Sequence, residues 1–175
     1  MIEKNWGKIR PATPFETQGR VSAVLQLLAK RPGDSARGKP IFEKTCATCH
    51  KLHGSGAAVG PDLTGAERKN RELLVQNIVD PSGVIRQEFM THVAMTKDGQ
   101  VLTGLLAEST ADTITLVDSK NQRTALKRTD LEALKESPVS LMPEKLLDDL
   151  TDQQIRDLVA YLQTEIGVSH TERSP

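Results

Sequence analysis

The run FEKTCATCHKLHG places Cys46, Cys49 and His50 within five residues, and these two cysteines are the only ones in a 175-residue chain. A fold built around this stretch must bring two thiols and an imidazole to one point and then supply whatever they act on. A thioredoxin-like redox pair would stand at the start of a helix after a buried strand in a βαβ unit. The preceding residues, GKPIFEKT, have no buried-strand character and no such unit surrounds them. A zinc site would draw on Cys46, Cys49, His50 and His53. Structural zinc usually takes two ligand pairs separated by a longer loop, and four ligands within eight residues make a strained cage.

The remaining reading is covalent attachment of haem. Two neighbouring thiols add across the two vinyl groups on one porphyrin edge, and the adjacent imidazole comes under the iron as its proximal ligand. Composition is compatible with a large buried cofactor, since the chain has only one Trp, one Tyr and three Phe to fill a core. Twenty-three basic residues balance twenty-three acidic ones, so no global charge points to nucleic acid or a membrane surface. No run of eighteen apolar residues occurs, and the first residues lack the apolar stretch of a secretory signal.

GKPIFEKTCATCH, the VGPDLTG that follows it, the Met-Pro pair of SLMPEKL and the terminal DLVAYLQ resemble class I cytochrome c. The closest likeness is to the large-insert, planctomycete-type haem-binding domain, over about residues 33 to 164. The resemblance implies a mainly α fold of helices around one covalently bound haem c. It implies that Cys46 and Cys49 tether the group, that the Pro61 carbonyl orients His50, and that Leu63 packs on the proximal face. Met142 is the expected sixth ligand, because Met/His coordination suits electron transfer. Pro143 after it suits a first helical position. Met90 and Met95, in the alternating FMTHVAMTK, read as core or surface residues. His92 is the main rival for the iron; the plainer reading of Met142 is a flexible core filler.

Four helical segments are expected. VSAVLQLLAK reads as an amphipathic helix with Val21, Val24, Leu25 and Leu28 inward, ending at Pro32-Gly33. Asp34 or Ser35 caps a helix running to Cys46, in which Pro40 should kink the chain or mark where the regular part begins. Asn70 caps NRELLVQNIVD, with Leu73, Leu74 and Ile78 inward, and DPSGVI after it reads as a turn or short helix. Thr151 and Gln154 form a capping box before Ile155, Leu158, Val159 and Leu162. In the family the first and last helices cross at a glycine and an aromatic, which match Gly38, Phe42, Leu158 and Tyr161.

Between the two ligand segments the chain alternates as strands. THVAMTK and QVLTGLLAES flank Asp98-Gly99, a tight-hairpin signal, and TITLVDS and QRTALKR flank a turn at Lys120-Asn121. Residues 89–128 read as a four-stranded antiparallel meander, closing into a small SH3-like barrel if Gly104 bends its strand. With one aromatic and mixed charges the meander is no RNA platform; a lid over the haem, or a docking face, fits better.

The resulting division is a 1–32 segment ending a preceding domain, a 33–88 haem-attachment part, an 89–136 β insertion, a 137–165 distal loop and terminal helix, and a 166–175 polar tail. The expected function is one-electron transfer by a monohaem domain that is not an enzyme, serving a redox partner protein or a fused dehydrogenase domain. Asp148, Asp149 and Asp152 read as solvated faces rather than catalytic pairs, while Lys39, Lys44 and Lys51 are candidates to steer a partner. The alternatives are a diatomic-gas binder with an open or displaceable distal site, and, less well supported, a peroxidase. The family likeness places haem attachment in the periplasm or another extracytoplasmic space, and with no signal sequence present the chain is expected to be a C-terminal fragment of a longer protein.

Overall fold

The computed structural model describes residues 8–9 and 14–165; the expected polar tail lies outside them. The helices are α1 (Phe15–Lys30), α2 (Ser35–Thr45), α3 (Arg71–Val79) and α4 (Asp152–Leu162). A short pair joins β1 (Lys8–Ile9) to β2 (Val84–Ile85), antiparallel. Between α3 and α4 stand β3 (Thr91–Thr96), β4 (Val101–Ser109), β5 (Thr113–Val117), β6 (Arg123–Lys127) and β7 (Leu131–Ser137).

Helix boundaries follow from the caps. The Asp34 carboxylate accepts from the amides of Ala36 and Arg37 at the start of α2. Asn70 accepts from Leu73 N–H at the start of α3, and Thr151 and Gln154 close a reciprocal box at the start of α4. Each satisfies donors that the first helical turn leaves free. Pro40 does not break α2, which runs continuously from Ser35 to Thr45. It is the sixth of the helix's eleven residues, and its missing N–H forfeits one bond, to the Ala36 carbonyl.

The crossing of α2 and α4 organises the helical part. A Cβ on Gly38 would stand 1.9 Å from the Asp157 carbonyl oxygen and 2.7 Å from Tyr161 Cβ, so only glycine lets the two backbones meet. Phe42 is fully buried, its ring centroid 5.5 Å from that of Tyr161. Asp157 is buried in the same crossing. Its carboxylate accepts from Asp34 N–H at 2.7 Å, from Arg37 Nε at 2.8 Å and from Gln153 Nε2 at 2.8 Å. Those donors, the Arg37 guanidinium foremost, hold its pKa down to about 2 against the opposing effect of burial.

Val24 and Leu28 of α1 enter this same core alongside Phe42, Val75 and Leu158, so the helix expected to close a preceding unit packs with the attachment part. In α3 the buried residues are Leu74 and Val75, while Leu73 is 42% exposed. The inward face is thus rotated by one residue from the expected one, because α1 packs against the Leu74–Val75 side. The segment after α3 is a turn followed by β2 rather than a helix.

The insertion is one antiparallel sheet in the order β6-β5-β4-β3-β7. The expected four-strand meander is present as β3 to β6, with Gly99 in a left-handed conformation at the first turn (φ 87°) and Asn121 at the second (φ 61°). Two expectations are corrected. A fifth strand, β7, pairs with β3 from Thr91↔Ser137 to Thr96↔Leu131. The sheet also does not close. A single 3-10 turn, Arg128–Asp130, carries the chain from one edge strand to the other, a span of about 6 Å. The edges therefore approach at that corner, but among the described residues no ladder joins β6 to β7. Ala94, Ile114 and Leu116 form the sheet's own small core.

Candidate functional site

The attachment site begins where α2 ends. Cys46 is the C-cap residue, its N–H bonded to the Phe42 carbonyl. The chain then coils once more, with Cys49 N–H and His50 N–H both donating to the Cys46 carbonyl at 3.1 and 2.9 Å. Both sulfurs and the imidazole thus leave a single turn of backbone. The following loop folds back beside it: Ala57 N–H donates to the Ala47 carbonyl, and Val59 and Gly60 N–H donate to the Cys49 carbonyl. That return brings Pro61 to His50, whose Nδ1 lies 3.0 Å from the Pro61 carbonyl oxygen.

A carbonyl only accepts, so Nδ1 carries the proton and Nε2 keeps its lone pair for a metal. Gly60 forms the floor under the ring. A Cβ there would stand 2.8 Å from His50 Cε1 and 3.1 Å from Nδ1, so any side chain would push the imidazole out of line. Leu63 donates its N–H to the Lys51 carbonyl and packs against the helical core.

These features decide among the readings of the motif. Both cysteines are free thiols. Burial, with a smaller effect from Cys49, pushes the Cys46 thiol up to about 12. Burial and then the Asp118 charge raise Cys49. A redox-active pair needs a lowered thiol pKa, and here both move the other way. Among the described residues no three of His, Cys, Asp or Glu converge as metal ligands, and His53 instead bonds Thr164 Oγ1 through Nε2 at 2.9 Å. The set of residues present fits a haem: two unpaired thiols on one turn, an oriented imidazole, and a side-chain-free floor beneath it.

Met142 stands on a separate segment after β7. It is half-buried, its N–H donates to Ser140 Oγ at 3.1 Å, and Ser140 N–H in turn donates to Ser82 Oγ at 3.1 Å. No helix begins at Pro143; the chain passes through turns, with Lys145 at φ 63°, until α4 starts at Asp152. Glu144, Lys145 and Leu146 line a cleft of about 600 Å³ together with Ile41, Lys44 and Thr45. The chain just after Met142 and the last turn of α2 therefore face one another. His92 lies half-buried on β3 with Nδ1 3.0 Å from the Met90 carbonyl. Met90 is buried and Met95 is partly exposed, and Lys39 is paired with Glu43 at 3.2 Å.

Two features of the site escape a reading of the sequence. The role of Gly60 as the floor is carried by its lack of a side chain, and its place in the Gly60-Pro61 pair was the only signal. The second is a contact across 70 positions: Cys49 Sγ lies 3.7 Å from the Ser119 carbonyl, at the tip of the β5–β6 hairpin.

Residues 35–115 match the model of the cytochrome c family, which covers α2, the attachment turn and the first part of the sheet but stops short of Met142. A cytochrome c-553-like protein of Synechocystis sp. is 37% identical over 57 residues, or 32% of this chain and 52% of that protein; the chain spans about half the length of the relative it matches. None of the described helices is long and apolar enough to cross a membrane. The chain carries a cytochrome c domain, and Cys46, Cys49 and His50 are its motif for covalent haem c.

Proposed function

We propose that this chain is a monohaem one-electron carrier in which His50 and Met142 are the axial ligands, and that it serves a redox partner protein or a dehydrogenase domain joined to it. The observation that carries the reading is the 3.0 Å bond from His50 Nδ1 to the Pro61 carbonyl above the bare Gly60. It fixes one tautomer and one ring orientation, and it increases the basicity of the free Nε2. The haem supplies a one-electron couple between ferric and ferrous iron. The chain's own part is to hold the imidazole still, so that little reorganisation accompanies electron transfer, and to keep the two sulfurs on one turn.

Support for Met142 as the second ligand comes from its Met-Pro setting and from the chain just after it. Glu144, Lys145 and Leu146, though not Met142 itself, line a cleft with Thr45, the residue before Cys46, and the Met142 backbone is tied through Ser140 to Ser82. A thioether raises the reduction potential relative to nitrogen or oxygen ligands. We place the maturation of this domain outside the cytoplasm, since c-type cytochromes acquire haem there, and we place contact with its partner in a brief, small interface.

Absorption spectra of the matured protein test the ligand set. The oxidised form should show the weak far-red band of sulfur-to-iron coordination, and the reduced form should not bind carbon monoxide. Met142→Ala should abolish the band and admit carbon monoxide. A parent protein that lacks the band and binds carbon monoxide rapidly would overturn the electron-carrier reading in favour of a gas-binding site.

A further inference from the structure

The tip of the β5–β6 hairpin reaches back to the attachment turn, where the Ser119 carbonyl lies 3.7 Å from Cys49 Sγ. The turn is built to hold one shape. The Asp118 carboxylate accepts from Lys120 N–H at 2.8 Å and from Gln122 N–H at 2.9 Å. Asp118 N–H donates to the Gln122 carbonyl, and Asn121 N–H to the Asp118 carbonyl, each at 3.0 Å. The strand that leads into it is buried on both faces: Ile114 and Leu116 point into the sheet's core, while Thr115 and Val117 are covered on the opposite side. A strand fixed on both faces, ending in a turn with its own bonds, cannot swing freely.

Once Cys49 is joined to a vinyl carbon, its sulfur sits on the porphyrin rim, and whatever touches that sulfur borders the rim. We propose that the β5–β6 turn is a fixed cap on the Cys49 rim of the haem, which shields that edge from solvent and from other redox proteins and sets the Asp118 carboxylate beside it. This rests on the electron-carrier reading. Two separable effects follow. The fixed negative charge favours the more positive ferric state and lowers the reduction potential. The cover lengthens the electron path at this rim, so exchange between two copies of the protein is slow there.

Two variants of the haem-loaded protein separate charge from cover. Asp118→Asn retains an oxygen acceptor for Lys120 and Gln122 but removes the charge. Its potential should move upward, with the ratio of reduced to oxidised protein at a fixed electrode potential rising about three- to tenfold, and its electron self-exchange rate should stay at the parent value. Replacing Asp118–Gln122 by Asn-Gly, a two-residue hairpin turn, removes the cover and should raise the self-exchange rate measured by NMR about tenfold or more. An unshifted potential in Asp118→Asn overturns the proposal even if the shortened hairpin fails to fold. An unchanged self-exchange rate in a folded short variant overturns it too. In both cases haem attachment and the axial ligands stand, whereas a parent chain that takes up no haem defeats the reading beneath.

Discussion

The helical part and the sheet are held together in different ways, and the difference follows from what each must carry. Among the described residues, twelve that are buried form one continuous core in the helical part. At its centre two backbones touch at Gly38, and a buried carboxylate joins the start of α2 to the middle of α4. The sheet has three fully buried residues in its own cluster and relies on strand register and exposed pairs such as Arg123–Glu108. Close backbone contact leaves no room to adjust, which suits a turn that must present two sulfurs and an imidazole in one geometry. A thin sheet tolerates change over most of its surface. It matters to the site through one tip.

The sharpest way to break this comparison is Gly38→Ala. The new Cβ would overlap the Asp157 carbonyl at 1.9 Å, so the helices must separate, and we expect a loss of about 3 kcal/mol or more in urea unfolding. A loss below about 1 kcal/mol would show that the crossing is not set by backbone contact. Ile114→Ala, at a fully buried position of the sheet, should cost about 2–4 kcal/mol while leaving the haem spectrum of the folded protein unchanged. A displaced spectrum would mean that the sheet core governs the ligands.

Asp157 offers a pH test with a defined sign. Its folded pKa, held down to about 2 chiefly by Arg37, lies below its unfolded value of about 3.9. The carboxylate therefore stabilises the fold at neutral pH by about 2 kcal/mol, and this contribution is lost as pH falls from about 4 towards 2. Asp157→Asn should be less stable than the parent at pH 7, and the gap should narrow across that window; a pH-independent gap would contradict the assignment. Smallest of all, Glu108→Gln removes the exposed partner of Arg123 and should cost less than about 1 kcal/mol, shrinking further in high salt.

What the sequence made legible, and what it hid, divides along the same line. Caps and helical spacing located α2, α3 and α4, because Asp34, Asn70 and Thr151 satisfy free amides locally and the apolar stripes repeat with the helix. Alternation and Asp98-Gly99 located four strands. The fifth, LEALKES, is composed largely of helix formers, and only its pairing with β3 makes it a strand, a tertiary effect that no local pattern carries. Leu73 illustrates the same limit: the stripe was read with Leu73, Leu74 and Ile78 inward, but Leu74 and Val75 are the buried residues and Leu73 is exposed. At the site, Cys46, Cys49 and His50 were readable because the motif is short and its spacing is set by the porphyrin, whereas Pro61 was readable only through the family resemblance. Ser119 was not, since its approach to Cys49 exists only after the hairpin has folded across the chain.

The central claim is that one haem is bound through both sulfurs of the turn after α2. Cleavage by trypsin after Lys44 and Lys51 releases the peptide Thr45–Lys51, and its mass in the matured protein is the direct test. The account predicts that this peptide carries one haem, retained after extraction with acidified acetone. Recovery of the unmodified peptide, with any colour passing into the solvent, would contradict it.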